Sequence, residues 1–144
     1  MLTMSPETAS KAIGRIVDNG KQGNQQRRDR EPPLVAFDNS ALSRLTDTDG
    51  RLAAEIAAVE AVVVAIRAGY LRLLATQILF LEVTRTPTSF HAPLLAVLDL
   101  ASASVLLEPT RPLAQRLASL GFRPADALHI AAAYTGGADY LLIL

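Results

Sequence analysis

Three carboxylates stand in apolar surroundings at well-separated points of the sequence. Asp38 follows the run LVAF, Glu82 is the only polar side chain in ILFLEV, and Asp126 lies in PADALHIAAA. If the three converge, their mutual repulsion raises at least one pKa unless a cation lies between them. The chain has no cysteine, and clustered oxygen ligands suit Mg²⁺ or Mn²⁺ better than zinc. Such an ion activates water and neutralises phosphate charge, which points to phosphodiester hydrolysis.

Each carboxylate also has an ordinary structural interpretation. An Asp after a strand often caps the next helix, so Asp38 can be a cap. Glu82 can belong to a solvated helix face, and Asp126 can be a partner of the helix macrodipole in a first turn. The chemical hypothesis therefore requires all three to reach the same edge of one sheet.

The apolar patterning predicts strands and helices in alternation. Strands are predicted at 34–37, 70–75, 105–108 and 139–144, and helices at 50–68, 76–85, 92–104, 112–121 and 124–137. Because the strands are continuously apolar, we expect a doubly wound α/β fold, a three-layer sandwich around a mostly parallel sheet. Sites in such sheets form at the carboxyl ends of the strands and at the helix starts that follow, where these carboxylates fall.

Residues 1–33 form a separate arm in this interpretation, and residues 34–144 form the domain. Apolar residues at helical spacing predict a short amphipathic helix at 5–19. The segment KQGNQQRRDREPP at 21–33 predicts a polar linker or mobile arm.

Composition limits the classes of function. The 144 residues carry 14 basic and 14 acidic side chains, whereas proteins that bind nucleic acid by bulk phosphate attraction are usually basic. Any grip on RNA is therefore expected to be local. The sequence has no apolar run long enough to span a membrane and no signal-peptide pattern. We accordingly expect a cytoplasmic protein without a membrane partner.

Four segments resemble the PIN domain family, and within it the toxin-like nucleases of toxin–antitoxin operons. The resemblance covers about residues 34–144 and is carried by VAFDNSAL, TQILFLEV, PADALHIAAA and GADYLLIL, in that order. It implies a doubly wound α/β fold and a Mg²⁺- or Mn²⁺-dependent ribonuclease that cuts RNA.

The resemblance also implies roles for individual residues. The family's first three acidic positions fall on Asp38, Glu82 and Asp126, as metal ligands and catalytic residues. A small hydroxyl position falls on Ser40, which would orient the first carboxylate or a water. His129, one turn after Asp126, matches the family pattern and is either a contact of the site or a satisfied helix histidine. His91 is expected at the surface.

The family pattern normally continues past its fourth strand into a fourth acid and a last edge strand, whereas this sequence ends at Leu144. We therefore expect a truncated piece of a longer product; the alternative is a protein that lacks this ligand and the edge strand. In both cases the activity of this exact chain is in question. Asp139 is not assigned to the site, because its family position is not catalytic. A missing edge strand would leave an apolar sheet edge for another subunit to cover, and homodimers are usual among such toxins.

A cognate antitoxin is a further expected partner. Antitoxins of systems that resemble this one contribute an amphipathic helix and an arm with arginine. Residues 5–31 have that composition, so we expect them to occupy the protein's own groove or to contact RNA through Arg27, Arg28 and Arg30. An extension without function is the alternative.

Three other functions with an Asp after the first strand do not fit. A haloacid-dehalogenase-like phosphatase needs an acid where Ser40 stands, and a von Willebrand type A metal site needs Ser where Leu42 stands. A receiver domain needs a late lysine, but both lysines precede residue 34. The remaining alternative is a degenerate PIN-like scaffold that binds RNA or a protein partner without cleavage.

Overall fold

The computed structural model describes residues 31–47 and 53–144. Within these residues the strands are β1 (Leu34–Phe37), β2 (Arg72–Thr76), β3 (Ala103–Val105) and β4 (Tyr140–Leu142). The helices are α1 (Asn39–Ser43), α2 (Ala53–Arg67), α3 (Gln77–Thr84), α4 (His91–Leu98), α5 (Arg111–Ser119) and α6 (Pro124–Thr135). The predicted N-terminal helix at 5–19 and nearly all of the predicted linker lie outside the described residues.

The strands of the described chain form one parallel sheet in the order β3-β2-β1-β4. Val35 of β1 is paired with Leu73 of β2 on one side and with Tyr140 of β4 on the other. The α/β fold with a parallel sheet confirms the sequence prediction. In this strand order the chain leaves β1 toward β2 and returns on the opposite side as β4. The carboxyl ends of β1 and β4 are therefore a topological switch point, where sites of such sheets form.

Helices pack on both faces of the sheet. Successive side chains of a strand point to opposite faces, so apolar residues of β1 contact helices on each side. Val35 and Phe37 belong to a core that also contains buried residues of α2, α3 and α4. Leu34 and Ala36 face the other way, toward Ala133 of α6. Helix α5 packs on α6. The arrangement is compatible with a three-layer α/β sandwich, and it explains why all four residues of β1 are apolar and buried.

A glycine ends the long helix that crosses from β1 to β2. Gly69 has a φ of 81°, a left-handed conformation that side chains other than glycine rarely adopt. Its N–H donates to the carbonyl of Ile66, and the N–H of Tyr70 donates to the carbonyl of Ala65. This Schellman arrangement turns the chain into β2, so the strand begins at Arg72 and not at residue 70 as predicted.

The sequence prediction was wrong around β3. The predicted helix at 92–104 ends at Leu98, and the strand predicted at 105–108 is Ala103–Val105. The ladder with β2 begins at Ser102, whose N–H donates to the carbonyl of Leu73 (3.1 Å). Small residues that suit a helix therefore serve as an edge strand. The apolar Leu106, which favoured a later strand, is 65% exposed.

The helices of the described residues are all too short or too polar to cross a bilayer.

Candidate functional site

Asp38 occupies the switch point of the sheet. Its backbone is extended, and its N–H donates to the carbonyl of Leu142 (3.0 Å), which prolongs the ladder between β1 and β4. Its side chain turns into the next helix, where Oδ1 accepts a hydrogen bond from the N–H of Ala41 (2.8 Å). Asp38 thus caps α1 as the structural interpretation predicted. Only 5% of the residue is exposed, so a carboxylate is held in a site with little water.

The electrostatic surroundings of Asp38 connect it to the other predicted residues. Burial raises the pKa of the Asp38 carboxyl above its ordinary value, against the hydrogen bond from Ala41, which lowers it. The positive charge of a protonated His129 also lowers this pKa, whereas the negative charges of Asp126 and Glu82 raise it. The side chains of Glu82 on α3 and of Asp126 and His129 on α6 therefore lie within electrostatic range of Asp38, and the net effect disfavours the ionised form of Asp38.

Glu82 lies on α3, which begins directly after β2. Thr76 starts this helix, since its Oγ1 accepts a hydrogen bond from the N–H of Leu79 (3.2 Å). The Glu82 side chain is only 19% exposed, and its Oε2 lies 2.8 Å from Nε2 of His129. Glu82 is therefore not part of a solvated helix face, which was its ordinary interpretation.

Asp126 lies in the first turn of α6 and is half-buried. The N-cap residue of this helix, Arg123, makes no side-chain capping bond. The carboxylate of Asp126 in the first turn stabilises this end of the helix through its interaction with the macrodipole. From the same position the negative charge of Asp126 acts on Asp38. The dipole role and the proposed site role are compatible here.

His129 is the residue that sequence reasoning undervalued. It is 4% exposed, and a carboxylate can only accept, so Nε2–H donates to Glu82. Its Nδ1 is buried and has no hydrogen-bond partner among the described residues. The available signal was its spacing of three residues from Asp126, which places both side chains on one helix face. His91, predicted at the surface, is instead half-buried and donates to the carbonyl of Thr86 (2.8 Å).

The hydrogen bonds of the residues that follow Asp38 differ from the predicted role of Ser40. The bond that orients Oδ1 of Asp38 comes from the backbone of Ala41, while Ser40 is half-buried and accepts a bond from Ser43 at its carbonyl (3.1 Å). An orienting role for the Ser40 hydroxyl stays a prediction. Asn39, which the sequence did not suggest, has a buried Oδ1 without a partner within the described ranges.

Asp139 lies at the amino ends of β1 and β4, at the opposite end of these strands from Asp38. Its Oδ2 accepts a hydrogen bond from the N–H of Leu34 (2.8 Å), and its own N–H donates to the carbonyl of Leu34 (2.7 Å). This pair of bonds joins the starts of β1 and β4. The arginines at 27, 28 and 30, predicted to contact RNA, lie outside the described residues.

The donor chemistry of the site suits a hard divalent cation, because Asp38, Glu82 and Asp126 offer carboxylate oxygens and Asn39 offers an unpaired amide oxygen. Across residues 31–47 and 53–144, however, no three His, Asp or Glu side chains are grouped closely enough to hold a metal ion. One oxygen of Asp38 and one of Glu82 are already engaged. The donor types therefore fit Mg²⁺ or Mn²⁺, and closure around an ion requires the side chains to move.

No protein-family model matches this chain, and neither does any curated protein or solved structure. Membership of the PIN domain family therefore stays a prediction from the sequence.

Proposed function

We propose that the protein is a PIN-type, metal-dependent endoribonuclease that hydrolyses phosphodiester bonds of RNA. The observation that carries the proposal is the buried carboxylate of Asp38, whose pKa is raised by burial and also by the charges of Asp126 and Glu82. Gathering negative charge around a buried carboxylate is unfavourable for the fold alone. Perturbed groups of this kind are concentrated at functional sites, and a bound cation would remove the penalty.

In this proposal Asp38, Glu82 and Asp126 hold Mg²⁺ or Mn²⁺. The bound ion would lower the pKa of an attacking water and neutralise charge on the scissile phosphate. The backbone N–H of Ala41 supports the ionised form of Asp38, because it donates to Oδ1. Ser40 remains the proposed hydroxyl that orients the carboxylate or a water.

The partners follow from the same resemblance. We propose RNA as the substrate, a cognate antitoxin as inhibitor, a homodimer as the working form and the cytoplasm as the location. Balanced total charge argues for a local grip on RNA, which the arginines of the N-terminal arm can supply.

A non-cleaving scaffold that binds RNA or a protein is the second candidate. It is favoured by the lack of a three-residue ligand group within the described parts of the chain.

RNA cleavage separates the two candidates. The purified chain is incubated with labelled single-stranded RNA in Mg²⁺, Mn²⁺ or EDTA, beside Asp38→Asn and the control Asp99→Asn. Asp99 is an exposed acid at the end of α4, so its change should not affect the site. The nuclease proposal requires metal-dependent cleavage by the parent chain and Asp99→Asn but not by Asp38→Asn. RNA binding without cleavage, unaffected by Asp38→Asn, would support the scaffold instead.

A further inference from the structure

His129 forms an unusual contact between two helices of the fold. It is nearly inaccessible, and its neighbours on α6 include the buried Ala127, Ala131 and Ala132. On α3, Glu82 stands between the buried Leu79 and Val83. A polar pair thus joins two otherwise apolar helix surfaces, at an Nε2–Oε2 distance of 2.8 Å.

The two ring nitrogens of His129 differ in their surroundings. Nε2 donates to Glu82, whereas Nδ1 is buried without a partner among the described residues. Most buried polar side-chain atoms have a hydrogen-bond partner, so an exception calls for an explanation. Within the described chain, the bond to Glu82 is the one polar contact that orients the ring.

Stability alone is a weak explanation of this pair. Replacing a buried polar or charged pair by well-packed apolar residues is often neutral or stabilising. We therefore look for a functional role of the Glu82–His129 pair, and its location beside the proposed metal ligands indicates one. Glu82 is a proposed metal ligand, and its negative charge acts on Asp38.

We propose that His129 is a positioning residue, whose Nε2–H holds Oε2 of Glu82 and so limits the orientations of that carboxylate, on which the side chains of Asp38 and Asp126 would close when an ion binds. The inference rests on the proposed metal-binding function of these carboxylates. Partners of this kind, which bond a ligand without touching the ion, commonly change metal affinity by about 10- to 100-fold when removed. His129 thus contributes to affinity through Glu82.

Two substitutions separate the donor from the volume of the ring. His129→Gln keeps an N–H donor near the position of Nε2, whereas His129→Leu removes it and leaves an apolar side chain among apolar neighbours. Mn²⁺ affinity is measured by calorimetry on the full chain, and urea unfolding in EDTA reports stability. We expect His129→Leu to weaken Mn²⁺ binding by about 10- to 100-fold and His129→Gln to retain most of the affinity.

Two further variants serve as controls. His91→Leu removes the other histidine, whose Nε2 donates to the backbone carbonyl of Thr86 and not to a carboxylate, and should leave Mn²⁺ affinity unchanged. In a Glu82→Gln background the carboxylate to be positioned is absent. Adding His129→Leu there should cause no further loss of Mn²⁺ affinity.

The outcomes distinguish this inference from the function on which it rests. Mn²⁺ binding that Asp38→Asn does not weaken, or no binding at all, rejects the proposed metal site and the inference with it. Site-specific binding that neither His129 variant weakens rejects the positioning role alone. Equal losses in both variants, matched by equal losses of stability, also reject it, because they indicate a packing role.

Discussion

His129 donates a hydrogen bond to Glu82 across 2.8 Å and thereby joins α6 to α3 within electrostatic range of the buried Asp38. Residues from two helices, each more than forty positions away in the sequence, thus act electrostatically on the carboxylate that follows β1. The ionised carboxylate of Asp38 is unfavourable for the stability of the metal-free fold, whereas binding of a metal ion would require it. That difference can be measured without knowing the RNA substrate.

Asp38→Asn should not destabilise the metal-free protein at pH 7. The change removes a buried charge that two acids oppose, while the asparagine oxygen can still accept from Ala41. Asp38→Ala also removes the charge but loses the cap, and it should be less stable than Asp38→Asn by about 1 kcal/mol. Urea unfolding in EDTA measures both variants. A clear loss of stability in Asp38→Asn would show that the ionised carboxylate contributes more to the fold than its burial costs.

The stability gap between Asp38→Asn and the parent chain should depend on pH. The folded-state pKa of Asp38 is raised above its unfolded value, so protonation favours the folded parent chain. The advantage of the variant should be full above the folded-state pKa, shrink as the pH falls through it, and vanish below about pH 3.9, the ordinary pKa of Asp. Paired urea titrations from pH 3.5 to 8 test this, because acids outside the site titrate alike in both proteins. A gap that widens on acidification would contradict the assigned direction.

Asp126→Asn separates repulsion from the helix dipole. If repulsion by Glu82 and Asp38 dominates, the metal-free variant should be slightly more stable than the parent chain and should lose RNA cleavage. If the macrodipole dominates, the variant should lose about 0.3 to 1 kcal/mol. Unfolding in EDTA gives the sign. Asp99→Asn changes an exposed acid at a helix C-terminus, where the macrodipole opposes an anion, so this comparison variant should not lose stability whichever effect dominates at Asp126.

The sequence predicted those parts of the fold whose signals are local. The apolar runs before Asp38 and at the end of the chain correctly predicted β1 and β4. Thr76 correctly predicted the start of α3. β3 was misplaced, because an edge strand of small residues depends on the carbonyl that Leu73 offers from the neighbouring strand. The sequence around residue 103 does not indicate which strand will supply that carbonyl.

In the candidate site, too, local features could be predicted from the sequence, whereas contacts between distant segments could not. The capping of α1 by Asp38 follows from one residue and its helix. The bond between Glu82 and His129 depends on how α3 packs on α6, which the spacing of residues within either helix does not determine. Whether the three carboxylates share an ion depends on side-chain positions within this packing.

Adding Mn²⁺ should reverse the stability order of the parent chain and Asp38→Asn. Without metal the variant is expected to be at least as stable, because it lacks the buried charge. A ligand that binds only the folded state stabilises it by an amount that grows with concentration, about 1.4 kcal/mol at ten times the dissociation constant. Only the parent chain keeps the carboxylate that binds the ion, so it alone should gain. Urea unfolding in Mn²⁺ and in a magnesium-free, manganese-free buffer of equal ionic strength measures the two orders. Screening by added salt cannot produce the reversal, since the control has the same ionic strength, and a parallel gain in both proteins would place the ion elsewhere.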